Sequence, residues 1–145
     1  MQSASNIQVM RHIDAKPEQV FDAWLNPETA RKFLFATPTG QMIRAEIDAR
    51  DGGSFVFVDR RNGEDYEHLG TYIEILRPQR FIFTFYVPKL QKKTENTRVS
   101  VEFIKSNKGC DITLTHEGVW TEYVAQTKAG WGLILDSLAK LFTGC

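Results

Sequence analysis

Cysteine is almost absent from this 145-residue chain, with Cys110 and Cys145 its only two. They stand far apart and neither belongs to a C-x-x-C pair, so neither a thiolate metal site nor a disulfide framework is expected. Both read as free thiols of a reducing cytoplasm. Net charge is missing too: eighteen basic and eighteen acidic residues cancel. A chain without a broad positive field is poorly suited to sequence-independent binding of nucleic acid or of an anionic membrane. No apolar run approaches the ~20 residues of a membrane-spanning helix. The start, Met1-Gln2-Ser3-Ala4-Ser5-Asn6, has neither the basic nor the apolar segment of a secretion signal. A soluble, cytoplasmic protein is the expectation.

The common chemical signatures are also lacking. His12, His68 and His116 form no H-x-H or H-E-x-x-H pattern, and there is no G-x-S-x-G elbow. Gly52-Gly53 and Gly130-Trp131-Gly132 do not join a strand to a helix start, as a phosphate loop must. No metal, no cofactor and no catalytic residue is therefore assigned, and His12 and His68 read as surface or strand-end residues.

What the chain does have is hydrophobic content (42%), enough for one domain spanning 1–145 with a real core. Weak alternation over 7–13 reads as a strand. Lys16-Pro17-Glu18 then opens a helix, since proline at the first helical position loses no available hydrogen bond. Val20, Phe21, Trp24 and Leu25 mark its apolar side. Asn26-Pro27-Glu28 is a second start signal, with Ala30, Phe33 and Leu34 behind it and Thr37-Pro38-Thr39-Gly40 closing it.

From Met42 to Gly118 the period changes to two. The apolar stripes are Ile43/Ala45/Ile47, Phe55/Phe57, Phe81/Phe83/Phe85/Val87, Val99/Val101/Phe103 and Ile112/Leu114/His116. Asp51-Gly52-Gly53, Asn62-Gly63 and Asn107-Lys108-Gly109 are turns between them, and 88–96, with Lys89, Lys92 and Lys93, is a polar hairpin tip. In the strand from Tyr66 to Leu76 a bulge or bend is expected at Gly70, and either Tyr72/Glu74 or Ile73/Ile75 can face inward. Short connections in series predict an antiparallel meander.

A helix follows from about 121 to 142, where Val124, Thr127, Trp131, Leu135, Leu138 and Phe142 recur at spacings of three and four. Gly130 and Gly132 each cost about 1 kcal/mol relative to alanine in a helix interior, so close approach to the sheet or a kink is expected there.

This order of elements resembles the START-like, or SRPBCC, superfamily with its helix-grip fold. The local patterns are similar to its branch of activator of heat-shock-protein ATPase homologues. They are Ala15-x-Pro17-Glu18-x-Val20-Phe21-x-Ala23-Trp24, Asp48 with Gly52-Gly53, and Gly70-Thr71-Tyr72-Ile73-Glu74-Ile75 running into Pro78-x-Arg80-Phe81. Gly130-Trp131 with Leu135 and Leu138 completes the set. The resemblance implies an α+β fold: a curved antiparallel sheet of about seven strands, two short helices, and a long C-terminal helix across the concave face. Members of the superfamily bind lipids, sterols, polyketides or hormones, and some are cyclases or hydrolases.

A helix over a curved sheet encloses apolar space, and a small hydrophobic molecule is the expected ligand. The resemblance places Phe55, Phe57, Phe83, Phe85, Val101, Leu114 and His116 on the sheet face of that space, with Leu135 on the helix. Trp24, Phe33, Phe35, Trp120 and Trp131 are expected to close its ends. His116 reads as a polar handle for a ligand carbonyl or hydroxyl, as a general base, or as a satisfied histidine bonded to backbone. Binding without catalysis is the leading expectation. A cyclase, dehydratase or isomerase using the same cavity is the second, and a chaperone-associated interaction module the third. On the opposite face Val56, Val58, Ile82 and Tyr86 read as an apolar patch, which makes a homodimer a candidate assembly.

Overall fold

The computed structural model describes residues 4–35, 40–87 and 97–142. The expected helix end at 37–39, the lysine-bearing tip at 88–96 and Cys145 fall outside the described residues. Seven strands follow the alternating segments: β1 (Ala4–Ile13), β2 (Gln41–Ile47), β3 (Ser54–Arg61), β4 (Glu64–Leu76), β5 (Arg80–Phe85), β6 (Thr97–Ser106) and β7 (Gly109–Trp120). They form one antiparallel sheet in the order β1-β7-β6-β5-β4-β3-β2, so a meander runs from β2 to β7 and the first strand closes beside the last. At Asn62-Gly63 both residues have positive φ, as a two-residue hairpin turn matched to strand twist requires.

One face of the sheet is buried from β1 across β7 and β6 into β5 and only partly buried at β2. Val9, Leu114, Val101 and Phe81 lie side by side across four strands, and Ile7, His116, Val99 and Phe83 form the next row. Among the described residues the register shifts at three places, the first between Ser5 and Ile7 in β1. Between Met42 and Arg44, Met42 packs against the core and Ile43 is left 38% exposed, which corrects the expected Ile43/Ala45/Ile47 stripe. Between Tyr72 and Glu74, Tyr72 and Ile75 both reach the core while Ile73 points out. The irregularity expected at Gly70 thus falls just beyond it. Gly70 instead stays in register with Phe55, and a Cβ there would overlap the Phe55 ring and the Thr84 carbonyl.

Helices α1 (Pro17–Leu25) and α2 (Pro27–Ala30) start where the prolines indicate. The Asn26 side chain accepts from the Glu28 amide at 3.0 Å, which caps α2 and separates it from α1. Phe21 packs edge-on against Phe81 and Phe103, and Trp24 against Phe33 and Phe81, so these helices cover one end of the inner face. After a single 3-10 turn at Thr121–Tyr123, α3 (Val124–Leu141) buries Trp131, Gly132, Leu135 and Leu138. It runs nearest β1, where Arg11 Nε meets Asp136 Oδ1 at 2.8 Å.

Of the two glycines of α3, Gly130 marks no close approach to the sheet, contrary to expectation, whereas Gly132 is buried. A Cβ on Gly130 would meet open space, and one on Gly132 would come within 3.1 Å of Arg11 Nη2 on β1. The outer face also differs from its sequence reading. Val58 is 6% exposed and Val56, Ile82 and Tyr86 are half-buried, so these four form no freely exposed apolar patch.

Between sheet and α3 the interior is filled largely with rings. Phe35 sits at its centre, stacked on His68 at 4.5 Å and on Phe85 at 5.0 Å, and meeting Trp131 and Phe57 edge-on. Its φ of 60° is rare for so bulky a residue. Aromatic contacts on several sides hold it there.

Candidate functional site

Beyond Phe35 the grip opens at one end. Strand β7 runs past His116 to Gly118, whose φ of 83° bends the chain before Val119 and Trp120. The 3-10 turn then lays the Tyr123 ring parallel to Trp120, 6.1 Å between centres, and the first turns of α3 bring in Gln126 and Thr127. Phe85, Val87 and Thr97 form the opposite wall. These residues enclose a cavity of about 250 Å³, close to the lower limit of ordinary ligand pockets, roughly 300 Å³. Among the described residues no Asp, Glu, Lys or Arg lines it.

A directed chain of hydrogen bonds forms its inner end. The Trp131 indole N–H donates to His116 Nδ1 at 3.0 Å, and His116 Nε2 lies 2.5 Å from Thr97 Oγ1. Indole nitrogen can only donate, so Nδ1 must accept and the imidazole proton sits on Nε2. That proton goes to Thr97 Oγ1, and the threonine hydroxyl donates onward to the Phe85 carbonyl at 3.2 Å. Burial lowers the His116 pKa to about 4, so the ring is neutral at physiological pH. Its partners are side chains, not the backbone groups envisaged from the sequence.

His68 is buried, not at the surface. It lies across the ring cluster from this pocket, with Nδ1 3.3 Å from the Phe57 carbonyl and its ring on Phe35. Burial, and then the nearby Arg61 charge, lower its pKa to about 4. Arg61 is itself paired with the buried Asp59 at 2.7 Å and lies over the Tyr66 ring. His12 is exposed and bridges Asp111 at 2.7 Å and Asp14 at 3.3 Å; its bond to Asp111 raises its pKa. Among the described residues no cluster of three or more His, Cys, Asp or Glu is arranged to hold a metal ion. Cys110 is buried, and desolvation pushes its thiol up to about 11, leaving it unreactive near neutrality.

Of the thirteen residues singled out from the sequence, Phe85, His116 and Trp120 line the pocket, and Trp131 stands behind it on His116. Phe35, Phe55, Phe57 and Phe83 form the central ring cluster. Trp24 and Phe33 pack together under α1, while Val101, Leu114 and Leu135 are fully buried. The sequence reading missed Val87, Thr97, Gly118, Val119, Tyr123, Gln126 and Thr127 as lining residues. Thr97 and Val87 were within reach, because they extend the inward parity of Val99 and Phe85. Thr127 was within reach as well, as a member of the helix stripe that carries Trp131, whereas Tyr123 arrives through the 3-10 turn, which has no sequence signature of its own.

Solved structures share this architecture closely. A protein from Chromobacterium violaceum (CV1439) superposes with a TM-score of 0.85 at 23% identity, over 97% of this chain and 99% of that one. A Staphylococcus aureus protein of unknown function (SA2116) gives 0.82 at 18% identity, over 97% and 94%. The AHSA1-like protein of Aeromonas hydrophila gives 0.79 at 23% identity, over 94% and 90%. At these identities the likeness establishes the fold alone. Among curated proteins none matches the sequence significantly. The family described as Activator of Hsp90 ATPase homolog 1-like protein matches residues 14–143. With its strand, two short helices, six-stranded meander and closing helix, the chain belongs to that family and has its START-like helix-grip fold.

Proposed function

We propose that this protein binds a small, uncharged, largely apolar molecule in the pocket between β7 and α3, without transforming it. The observation that carries the reading is the cavity of about 250 Å³, walled by Phe85, Val87, Val119, Trp120 and Tyr123 and, among the described residues, lined by no charged group. Affinity comes from burial of apolar ligand surface at roughly 25 cal/mol per Å², less the cost of ordering the ligand. Catalysis by proton transfer is disfavoured because both His116 nitrogens are engaged and, among the described residues, no carboxylate lines the pocket. Acid–base work needs two groups whose pKa values are pushed apart at one site.

Native mass spectrometry of protein purified from its own source tests this directly, together with NMR titration of any ligand retained. The expected result is a neutral adduct whose binding shifts the resonances of Trp120, Tyr123 and Thr127. Thr127→Trp, which fills the cavity from the α3 side, is expected to remove the adduct and keep the fold. A ligand that perturbs only residues outside this pocket would overturn the proposal.

A further inference from the structure

The hydrogen bonds at the inner end of the pocket have a fixed direction, and from that direction we infer that the ligand is a neutral alcohol or phenol whose hydroxyl donates to Thr97 Oγ1. The inference rests on the pocket being the binding site. Its logic begins at Trp131. An indole has one N–H and no lone pair in the ring plane, so its contact with His116 Nδ1 at 3.0 Å has only one sense. The imidazole must therefore carry its proton on Nε2, toward Thr97. The threonine hydroxyl receives that proton's hydrogen bond and commits its own proton to the Phe85 carbonyl. A hydroxyl has one donor and two acceptor sites. Both the proton and one lone pair are spent, so what Thr97 can still offer is a single acceptor.

This sense excludes several ligand types. A ligand carbonyl or ether oxygen placed against Thr97 faces a lone pair, and both acceptors lose water without a partner. A carboxylate against Thr97 fares worse, because its charged oxygens can only accept and lose more hydration than a neutral acceptor does. Protonating His116 would not help such a ligand, since a proton on Nδ1 would point at the indole N–H. A hydroxyl group on an apolar body satisfies the remaining acceptor and leaves the three existing hydrogen bonds intact. Gln126, Thr127 and Tyr123 can serve further polar groups of the ligand.

A matched pair of probes tests the inference: 2-naphthol, which can donate, and 2-methoxynaphthalene, which has the same rings and can only accept. Titration of the full-length protein, followed by NMR, should show both shifting Trp120 and Tyr123 resonances, with 2-naphthol bound about three- to tenfold more tightly, the value of one neutral hydrogen bond. The naphthol protons flanking the hydroxyl should show NOEs to the Thr97 methyl group. Thr97→Val, which keeps the shape and removes the acceptor, should equalise the two probes, whereas Thr97→Ser should retain the preference. Equal binding of both probes to the wild-type pocket, or a preference that survives Thr97→Val, would overturn the donor assignment and leave the pocket intact. Should neither probe perturb the pocket residues, the binding site itself is misplaced. If Thr97→Val does not fold, the wild-type pair and the NOEs decide, since a naphthol hydroxyl turned away from Thr97 is equally fatal.

Discussion

Two neutral imidazoles buried at separate points of one interior make this protein sensitive to acid. In the unfolded chain His68 and His116 titrate near the ordinary 6.5, whereas in the folded protein each is lowered to about 4, by burial above all. Between those values the unfolded chain binds protons that the native state refuses, so stability is complete above pH 6.5 and falls as pH drops toward 4. At about 1.36 kcal/mol per pH unit for each ring, the two together should cost about 4 kcal/mol by pH 5. Urea unfolding at pH 7.5 and pH 5.0 measures this, and a His68→Phe variant, which keeps a ring on Phe35, should lose about half of the difference. Equal stability at both pH values would mean that these rings are not secluded from water. His12 works in the opposite sense, because Asp111 raises its pKa, but at a fully exposed site the contribution is small. His116 was legible from the parity of Ile112 and Leu114. His68 was not, because its strand alternates polar with half-apolar residues and the inward side cannot be chosen until Tyr72 is placed.

Glycines separate what an element requires from what it merely tolerates. In α3, Gly130 is exposed with open space where a Cβ would stand, so Gly130→Ala should gain close to the full helix propensity difference, about 1 kcal/mol. For a chain of this length that is a rise of about 2–4 °C in Tm, readable by calorimetry. Gly70→Ala should do the reverse, because the new methyl overlaps both the Phe55 ring and a backbone carbonyl of β5, and relieving that overlap costs about 1–3 kcal/mol. An unchanged or raised Tm for Gly70→Ala would contradict the packing of Phe55 across β4. Sequence pattern alone cannot tell these two glycines apart, since each interrupts a regular element and the difference lies in what stands opposite. The same limit hid the bulges at Ile43 and Ile73: a bulge answers the coiling of the whole sheet, while alternation along one strand reports only its neighbours. Element starts were more legible, because Pro17, Asn26 and Pro27 act through local backbone geometry.

The architecture as a whole was readable because period-two stripes followed by a period-3.6 stripe leave few ways to bury both. Where its empty space lies was not, for the helix–sheet interface is plugged by Phe35 and the void is displaced to the β7–α3 corner. That placement gives α3 two roles. It supplies Gln126 and Thr127 to the pocket, and it also buries Trp131, Leu135 and Leu138 against the sheet. Three such side chains are worth about 1.5–3 kcal/mol each, which together is comparable to the 5–15 kcal/mol that typically stabilises a whole domain. A chain ending at Tyr123 should therefore lose cooperative unfolding and the fixed tryptophan environment seen by near-ultraviolet circular dichroism, rather than persist as a sheet with an open groove. A sharp thermal transition in that truncated chain would make α3 a removable cover. Ligand entry would then proceed by helix displacement, and Thr97, His116 and Phe85 would be left facing solvent as a complete site on the sheet. The Trp131–His116 bond argues for the first outcome, because the helix that closes the pocket also fixes the proton on its innermost ring.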